Sequence, residues 1–416
     1  MTIVWWVLGA LVGVALLVAV VLLVVVRAVV GRIVLPGKQR WTPVLEVSED
    51  AIRLPLTDDT VRAGEYGLWH DAAGHTTVGP VLEVDEAGGT VRRAVLRTSG
   101  DVPASVRWSG HVYPDPAAMG VDWSEAAITT PVGPAPAWVV RPERTPGVHG
   151  VPGVDEAAGV GDVPGVGDVP GVDDVPVGAP VPPATWAVHV HGIRTTRVTA
   201  LRTVPAALGL GWTSIVPSFR GDGEAPSEGR ASHLGAREWP DVEAALDHAV
   251  AHGAERIVIV AWSMGATITH ELLARSAHRD RIAGLVLVSP ALDWEATVRS
   301  QASRSGVPGP VVGAALRAMA SPVVCRLVGL RSPVDVRALS WLRRPPVLPP
   351  TLLVHSSGDS TVPFAVSRAF AEQHPDTVTL AVSEPAEHGW ERNVDAVWFD
   401  EQIARWAARL SGGSLS

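Results

Sequence analysis

The chain has 416 residues, a net charge of −9 and a charged fraction of only 19%. This length accommodates more than one domain and a large core, while the acidic balance argues against nucleic acid as a partner. A single cysteine, Cys325, rules out an intramolecular disulfide. We interpret it as a packed thiol, because it lies in an apolar stretch.

An apolar segment opens the chain. From Thr2 to Val26 no side chain is charged, and about 20 apolar residues suffice to cross the hydrocarbon core of a bilayer. No basic residue precedes the segment and no small-residue cleavage site follows it, so an uncleaved anchor is favoured over a signal peptide. The positive-inside bias predicts a single-pass anchor over residues 1–40, with the rest of the chain in the cytoplasm. The basic residues behind this orientation are Arg27, Arg32, Lys38 and Arg40.

Residues 41–124 contain short β-branched runs separated by turn-forming stretches such as Asp85–Gly89. This pattern predicts a β-rich module of four to six strands. Three histidines of this region, His70, His75 and His111, lack the spacing of metal ligands, so no metal site is predicted here.

Residues 145–183 are dominated by Gly, Val, Pro and Asp, and a six-residue near-repeat begins at Gly159, Gly165 and Gly171. Such a composition cannot build a core, so a disordered segment is predicted. Strand-like sequences at Ile128–Val132 and Pro136–Arg141 precede it. We therefore expect the segment to be an insertion within a C-terminal domain that spans residues 125–416.

From Thr185 onwards, apolar strand-like runs alternate with helix-like segments. This alternation predicts an α/β fold with a mostly parallel sheet and helices on both faces. About sixty residues separate two of the strands, which is too long for a simple loop. Amphipathic pieces within them predict a helical cap at about 290–348. The predicted strands are Trp186–Val190, Ser214–Pro217, Arg256–Ala261, Leu285–Ser289, Thr351–His355 and Val378–Val382.

The strongest local signal is a buried strand that runs into Ser263 and then into a helix. This is the strand–turn–helix context of a nucleophile elbow, whose tight turn requires small residues two before and two after the serine. Those residues are Ala261 and Gly265; alanine departs from the usual glycine but adds only a methyl group. The competing interpretation of Ser263 is an ordinary helix N-cap.

A serine nucleophile needs a base that is itself oriented. Asp359 follows one predicted strand and His388 follows the last one, which reproduces the chain order Ser, Asp, His. All three residues fall at the carboxyl edge of the sheet, where catalytic groups collect in open α/β folds. His388 competes with His191, His355 and His374, but only His388 lies in the short loop after the final strand.

Acyl transfer also needs N–H donors where negative charge develops. We predict an oxyanion hole from the backbone N–H groups of Met264 and Ile193, with Gly192 letting the backbone approach. His191 is expected to shape this loop rather than to transfer protons, and Arg194 is expected to be solvated.

Taken in order, the motifs at His191-Gly192, Ser263, Gly358-Asp359 and His388-Gly389 resemble the α/β-hydrolase superfamily. Ser218 to Gly229 is similar to its bacterial lipase-like and serine-aminopeptidase-like branch. The resemblance covers residues 128–416 and implies a Ser-His-Asp mechanism that cleaves an ester, thioester or amide without a metal or organic cofactor. It does not extend to the β-rich module.

Three functions remain open on the sequence. The first is a membrane-anchored serine hydrolase acting on a small-molecule or lipidic acyl ester. The second is a serine peptidase or acyltransferase with the same triad, and the third is a non-catalytic, membrane-tethered binding scaffold.

Overall fold

The computed structural model describes residues 2–35, 37, 41–70, 74–143 and 184–412. The predicted disordered insertion at 145–183 lies outside these residues, as do Lys38 and Arg40 of the basic flank. Within the described ranges the chain forms a long N-terminal helix, a seven-stranded sheet and an eight-stranded sheet with helices on both faces.

Helix α1 (Thr2–Val34) has two parts with different surroundings. Residues 3–25 are exposed, whereas Val26, Val30 and Val34 are buried against the rest of the protein. The exposed part rises about 34 Å along its axis, enough for a hydrocarbon core of about 30 Å. Among the described residues α1 is the one helix that is long and apolar enough to cross a membrane, a test that an N-terminal signal sequence also passes.

The seven-stranded sheet is antiparallel and has the strand order β1-β7-β4-β5-β6-β3-β2. Its core is a small apolar cluster that includes Ile52, Leu54, Leu68 and Val91. The strands are β1 (Thr42–Pro43), β2 (Glu46–Val47), β3 (Ala51–Pro55), β4 (Tyr66–Trp69), β5 (His75–Asp85), β6 (Thr90–Ser99) and β7 (Ser105–Ser109).

A fully buried arginine, Arg93, holds this sheet to the loop before β4. Its guanidinium lies 5.4 Å from the ring centroid of Tyr66 and 5.5 Å from that of Trp108. Burial lowers the pKa of Arg93 to about 10, so the side chain stays charged at neutral pH. It donates to the backbone carbonyls of Thr60, Arg62, Gly64 and Gly79.

The eight-stranded sheet has the order β15-β14-β13-β12-β10-β11-β9-β8, with β10 to β15 parallel and β8 and β9 added as an antiparallel hairpin. The hairpin begins earlier than predicted, at Asp122, and the undescribed residues 144–183 fall between β9 and β10. The strands are β8 (Asp122–Thr130), β9 (Gly133–Arg141), β10 (Thr185–Val190), β11 (Thr213–Pro217), β12 (Arg256–Trp262), β13 (Ile282–Val288), β14 (Thr351–Ser356) and β15 (Val378–Ser383).

Apolar residues cover both faces of this sheet. Along β12, Ile257, Ile259 and Ala261 join one core cluster, while Val258 and Val260 join the other. Helices on both faces explain why the central strands are continuously apolar. The helices are α2 (Val204–Gly209), α3 (Trp239–Ala251), α4 (Gly265–Arg275), α5 (Trp294–Arg304), α6 (Gly309–Ala320), α7 (Phe364–Gln373), α8 (Glu391–Val394) and α9 (Ala396–Gly412).

Helices α5 and α6 lie between β13 and β14, in the segment for which a helical cap was predicted. The buried end of α1 packs on α6, and its valines share one apolar cluster with Val312 and Leu316. Cys325 is buried in the same cluster, as predicted for a packed thiol.

The β-rich module docks around Asn393 on the domain that contains the eight-stranded sheet. The Asn393 amide nitrogen donates to the carbonyls of Glu65 and Gly110 at 2.6 and 2.9 Å, and Arg202 donates to its amide oxygen. A Cβ on Gly64 would stand 1.9 Å from the Asn393 carbonyl oxygen. This close approach requires glycine at position 64.

Replacing Arg93 with methionine should destabilise the protein by about 3 kcal/mol, because several buried carbonyls lose their donor together. Urea unfolding of the detergent-solubilised chain measures the change. The matched control is Arg92→Met on the same strand, whose partly exposed side chain lies 3.7 Å from Asp50. A surface pair of this kind contributes no more than about 1 kcal/mol. Equal effects of the two substitutions would show that the buried hydrogen bonds of Arg93 stabilise the protein no more than a surface ion pair does.

Candidate active site

Ser263 occupies a strained turn between β12 and α4. Its φ of +50° lies in the left-handed region, which is unfavourable for a non-glycine residue. A Cβ on Gly265 would stand 2.5 Å from the Val190 carbonyl oxygen, so the position two after the serine admits only glycine. The hydroxyl is thereby held above the carboxyl edge of the sheet at the start of α4.

The three residues predicted as a triad form one hydrogen-bonded chain. His388 Nε2 lies 2.8 Å from Ser263 Oγ, and His388 Nδ1 lies 2.7 Å from Asp359 Oδ2. The carboxylate accepts from Nδ1–H, which leaves Nε2 as the acceptor for the serine hydroxyl. The imidazole is therefore oriented to take a proton from Ser263.

Asp359 is a buried carboxylate with four donors. Oδ2 lies 2.7 Å from His388 and 3.0 Å from His355 Nε2, while the backbone N–H groups of Thr361 and Val362 donate to Oδ1 at 2.7 and 2.8 Å. Burial alone raises the pKa of Asp359, but the hydrogen bonds from His355 and His388 outweigh it and hold the pKa well below its usual range. The group is ionised at neutral pH.

His355 is a functional neighbour that sequence reasoning treated only as a competitor of His388. It is fully buried, and its Nδ1 lies 2.7 Å from Ser367 Oγ. With Nδ1 accepting from the serine, Nε2–H is free to donate to Asp359. Its location four residues before Asp359, at the end of a buried strand, was the one signal that the sequence offered.

The pKa of His388 is shifted by opposing influences. Burial lowers it, but the hydrogen bond and charge of Asp359 raise it further, and the net result lies above the ordinary histidine value. Asp359 thus makes His388 a stronger base than an isolated imidazole.

Gly192 and Ile193 follow the end of β10 and lie near Ser263. A Cβ on Gly192 would stand 3.1 Å from Ser263 Cβ and 3.4 Å from the Trp262 carbonyl oxygen, so glycine permits a close backbone approach. Ile193 lines the same cavity as Ser263, and Met264 is the N-cap residue of α4. Both residues of the predicted oxyanion hole are therefore adjacent to the serine.

His191 and Arg194 flank this loop. His191 is fully buried and stacks on Phe219 at 3.9 Å between ring centroids, which agrees with a structural role. The side chain of Arg194 is exposed, as expected for a solvated arginine. It also donates to the carbonyls of Arg32, Ile33 and Leu35 at the end of α1.

A cavity of about 520 Å³ opens over Ser263 and His388, within the range of small-molecule sites. Its walls come from three parts of the chain that are distant in sequence. Helix α5 and the loops of the sheet form most of it, Val29, Arg32 and Ile33 come from α1, and Gly110 and His111 come from the β-rich module. The contributions of α1 and the module had no local signal in the sequence.

His111 lines the cavity, and its hydrogen bonds fix its tautomer. The indole N–H of Trp69 donates to His111 Nδ1 at 3.1 Å, so the other ring nitrogen carries the proton and donates to Thr199 Oγ1 at 3.0 Å. Burial lowers the pKa of His111 to about 3. The module therefore presents a neutral histidine to the loop that follows Ile193.

Family models match two parts of the chain. Residues 188–305 match the family described as alpha/beta hydrolase fold, and residues 43–109 match a domain of unknown function, DUF8805. Together with the sheet topology, the first match confirms the predicted fold class. Curated proteins include no match to the chain.

Several solved structures are similar to the chain at low identity. An esterase from Pyrococcus furiosus has 15% identity and a TM-score of 0.49, with 71% of this chain and 94% of that chain covered. An esterase from Thermogutta terrifontis has 17% identity, a TM-score of 0.41 and coverages of 69% and 99%. A serine hydrolase without a lid from Xanthomonas campestris has 14% identity, a TM-score of 0.42 and coverages of 69% and 94%.

Replacing Asp359 with asparagine should lower the pKa of His388, because the charge that opposes the effect of burial is removed. Titration of carbon-13-labelled histidine by NMR measures the shift, and His388→Gln assigns the signal. The pKa of His388 should lie above the ordinary histidine value in the wild type and should be lower in the variant than in the wild type. An unchanged pKa would show that Asp359 does not act on His388.

Proposed function

We propose that this chain, a member of the α/β-hydrolase superfamily, is a membrane-anchored serine hydrolase that cleaves acyl esters through an acyl-enzyme on Ser263. The observation that carries the proposal is the hydrogen-bonded chain from Ser263 through His388 to Asp359 at the base of a cavity. A hydroxyl, an imidazole and a buried carboxylate in this sequence are the parts that acyl transfer requires.

In the proposed first step, His388 Nε2 takes the Ser263 proton while Oγ forms a bond to the acyl carbon. The tetrahedral intermediate collapses, the bond from that carbon to the leaving oxygen breaks, and His388 returns the proton to the alcohol. Water then attacks the acyl-enzyme with His388 again as base, which releases the acid and restores Ser263.

Two features support stabilisation of the intermediate. Met264 follows Ser263 directly and Ile193 lines the same cavity, which supports their backbone N–H groups as the donors, and α4 directs the positive end of its dipole towards the serine. Each such donor is worth about 3 kcal/mol of barrier in comparable enzymes. Asp359 remains ionised throughout and stabilises the imidazolium that forms on His388.

Replacing Ser263 with alanine should abolish labelling by a fluorophosphonate probe, because the probe bonds covalently to an activated serine. In-gel fluorescence of the full chain in detergent measures labelling, with Ser303→Ala as the control at an exposed serine of α5. The control should label as the wild type does.

Absence of labelling in the wild type would contradict the hydrolase proposal and favour a non-catalytic scaffold. If the wild type labels, matched acyl esters and aminoacyl amides then separate an esterase from a peptidase. We expect turnover of the esters, and preferential cleavage of the amides would favour the peptidase.

Membrane anchoring is supported by the exposed, uncharged part of α1 and by the basic residues that follow it. With the hydrolase domain on the cytoplasmic side, a C-terminal fusion to green fluorescent protein should fluoresce and a fusion to alkaline phosphatase should be inactive. Cells expressing each fusion provide the measurement. An active phosphatase fusion would place the domain on the other side of the membrane.

A further inference from the structure

The C-terminal end of α1, which follows its exposed segment, forms part of the candidate active site. Val29 and Ile33 line the cavity that contains Ser263. They are partly buried and pack against the main core cluster. These two residues are one helical turn apart and therefore lie on the same face of α1.

Two sets of contacts fix this end of the helix to the hydrolase domain. Arg194 donates to the carbonyls of Arg32, Ile33 and Leu35, and the Ser232 N–H donates to the Val34 carbonyl at 2.9 Å. The final carbonyls of a helix have no partner within it, so these donors satisfy groups that would otherwise need water. The last turn of α1 is thereby a fixed wall of the cavity.

Many of the side chains that line the cavity are apolar. Val29 and Ile33 of α1 are joined there by Trp294, Val298, Ala302 and Val307 of the cap region. A surface of this kind gains free energy by covering hydrocarbon, about 0.8 kcal/mol for each buried methylene group. Polar residues also line the cavity. Besides Ser263 and His388 they include Arg32 of α1, Thr297, Gln301 and Ser305 of the cap region, and Thr195 and Thr199.

The cavity is also close to the segment that would lie in the bilayer. The fully exposed stretch of α1 ends at Val25, and Val29 and Ile33 follow it by about 6 and 12 Å along the helix axis. An acyl chain that leaves the membrane beside α1 would therefore have a short path to these two residues.

We propose that the last turns of α1 form the acyl-binding wall of the active site, and that the substrate is a membrane lipid ester whose acyl chain enters along Val29 and Ile33. This rests on the proposed hydrolase function and adds a substrate class and a second role for the anchor. The carbonyl carbon reaches Ser263 while the hydrocarbon stays between α1 and α5.

Bulky substitutions on this face should shorten the acyl chain that the enzyme accepts. In the full chain in lipid nanodiscs, Val29→Trp and Ile33→Trp should lower kcat/KM at least 10-fold for a dodecanoyl ester and less than 3-fold for a butanoyl ester of the same alcohol. The matched control is Val24→Trp on the exposed part of α1, which should preserve the wild-type ratio.

Fluorophosphonate labelling of the same samples separates this inference from the proposed function. Variants that label at the wild-type rate are folded and have an intact serine. If they label and their chain-length ratio is unchanged, α1 is not the acyl wall. If the wild type itself does not label, the result contradicts the proposed hydrolase function, on which the role of α1 depends.

Proteoliposomes test the source of the substrate. A fluorogenic phospholipid ester in the same vesicles as the enzyme should be hydrolysed at least 10-fold faster than the ester in separate vesicles. Equal rates in the two arrangements, or turnover of the water-soluble butanoyl ester alone, would overturn the assignment of a membrane lipid.

Discussion

The site depends on a carboxylate that stays charged inside the protein. Asp359 is buried, and isolated burial would favour its neutral form. Four donors offset that cost: two histidines on one oxygen and two backbone N–H groups on the other. The same contacts fix the carboxylate in space, and through it the tautomer and basicity of His388. Without this ionised group the imidazole would have neither its orientation nor its raised pKa.

Three separate units meet at one cavity. The hydrolase sheet brings the serine, histidine and aspartate to its carboxyl edge, the β-rich module adds His111, and α1 adds Val29 and Ile33. The module and α1 are held by backbone-directed contacts, through Asn393 and Arg194 respectively. Both units therefore line the candidate site itself.

Much of the hydrolase fold was predictable, because buried parallel strands are continuously apolar and alternate with helices. A helical segment at about 290–348 was predicted from its length and amphipathic pattern, and α5 and α6 lie there. The strand order of the seven-stranded module was not predictable, because short alternating strands do not encode which neighbour they pair with. Arg93 was also missed, because its partners are backbone carbonyls, which carry no sequence signal.

The sequence by itself determined the order of the motifs that approach Ser263, because a tight elbow and strand-end loops impose local residue choices at Ala261, Gly265 and Gly192. Only the tertiary structure decided which distant groups surround them. His355, His111 and the end of α1 act through space, and contacts between segments far apart in the chain leave no local pattern. Arg194 shows the difference: the sequence predicted only an exposed side chain, and folding brings its guanidinium to the last carbonyls of a helix some 160 residues earlier.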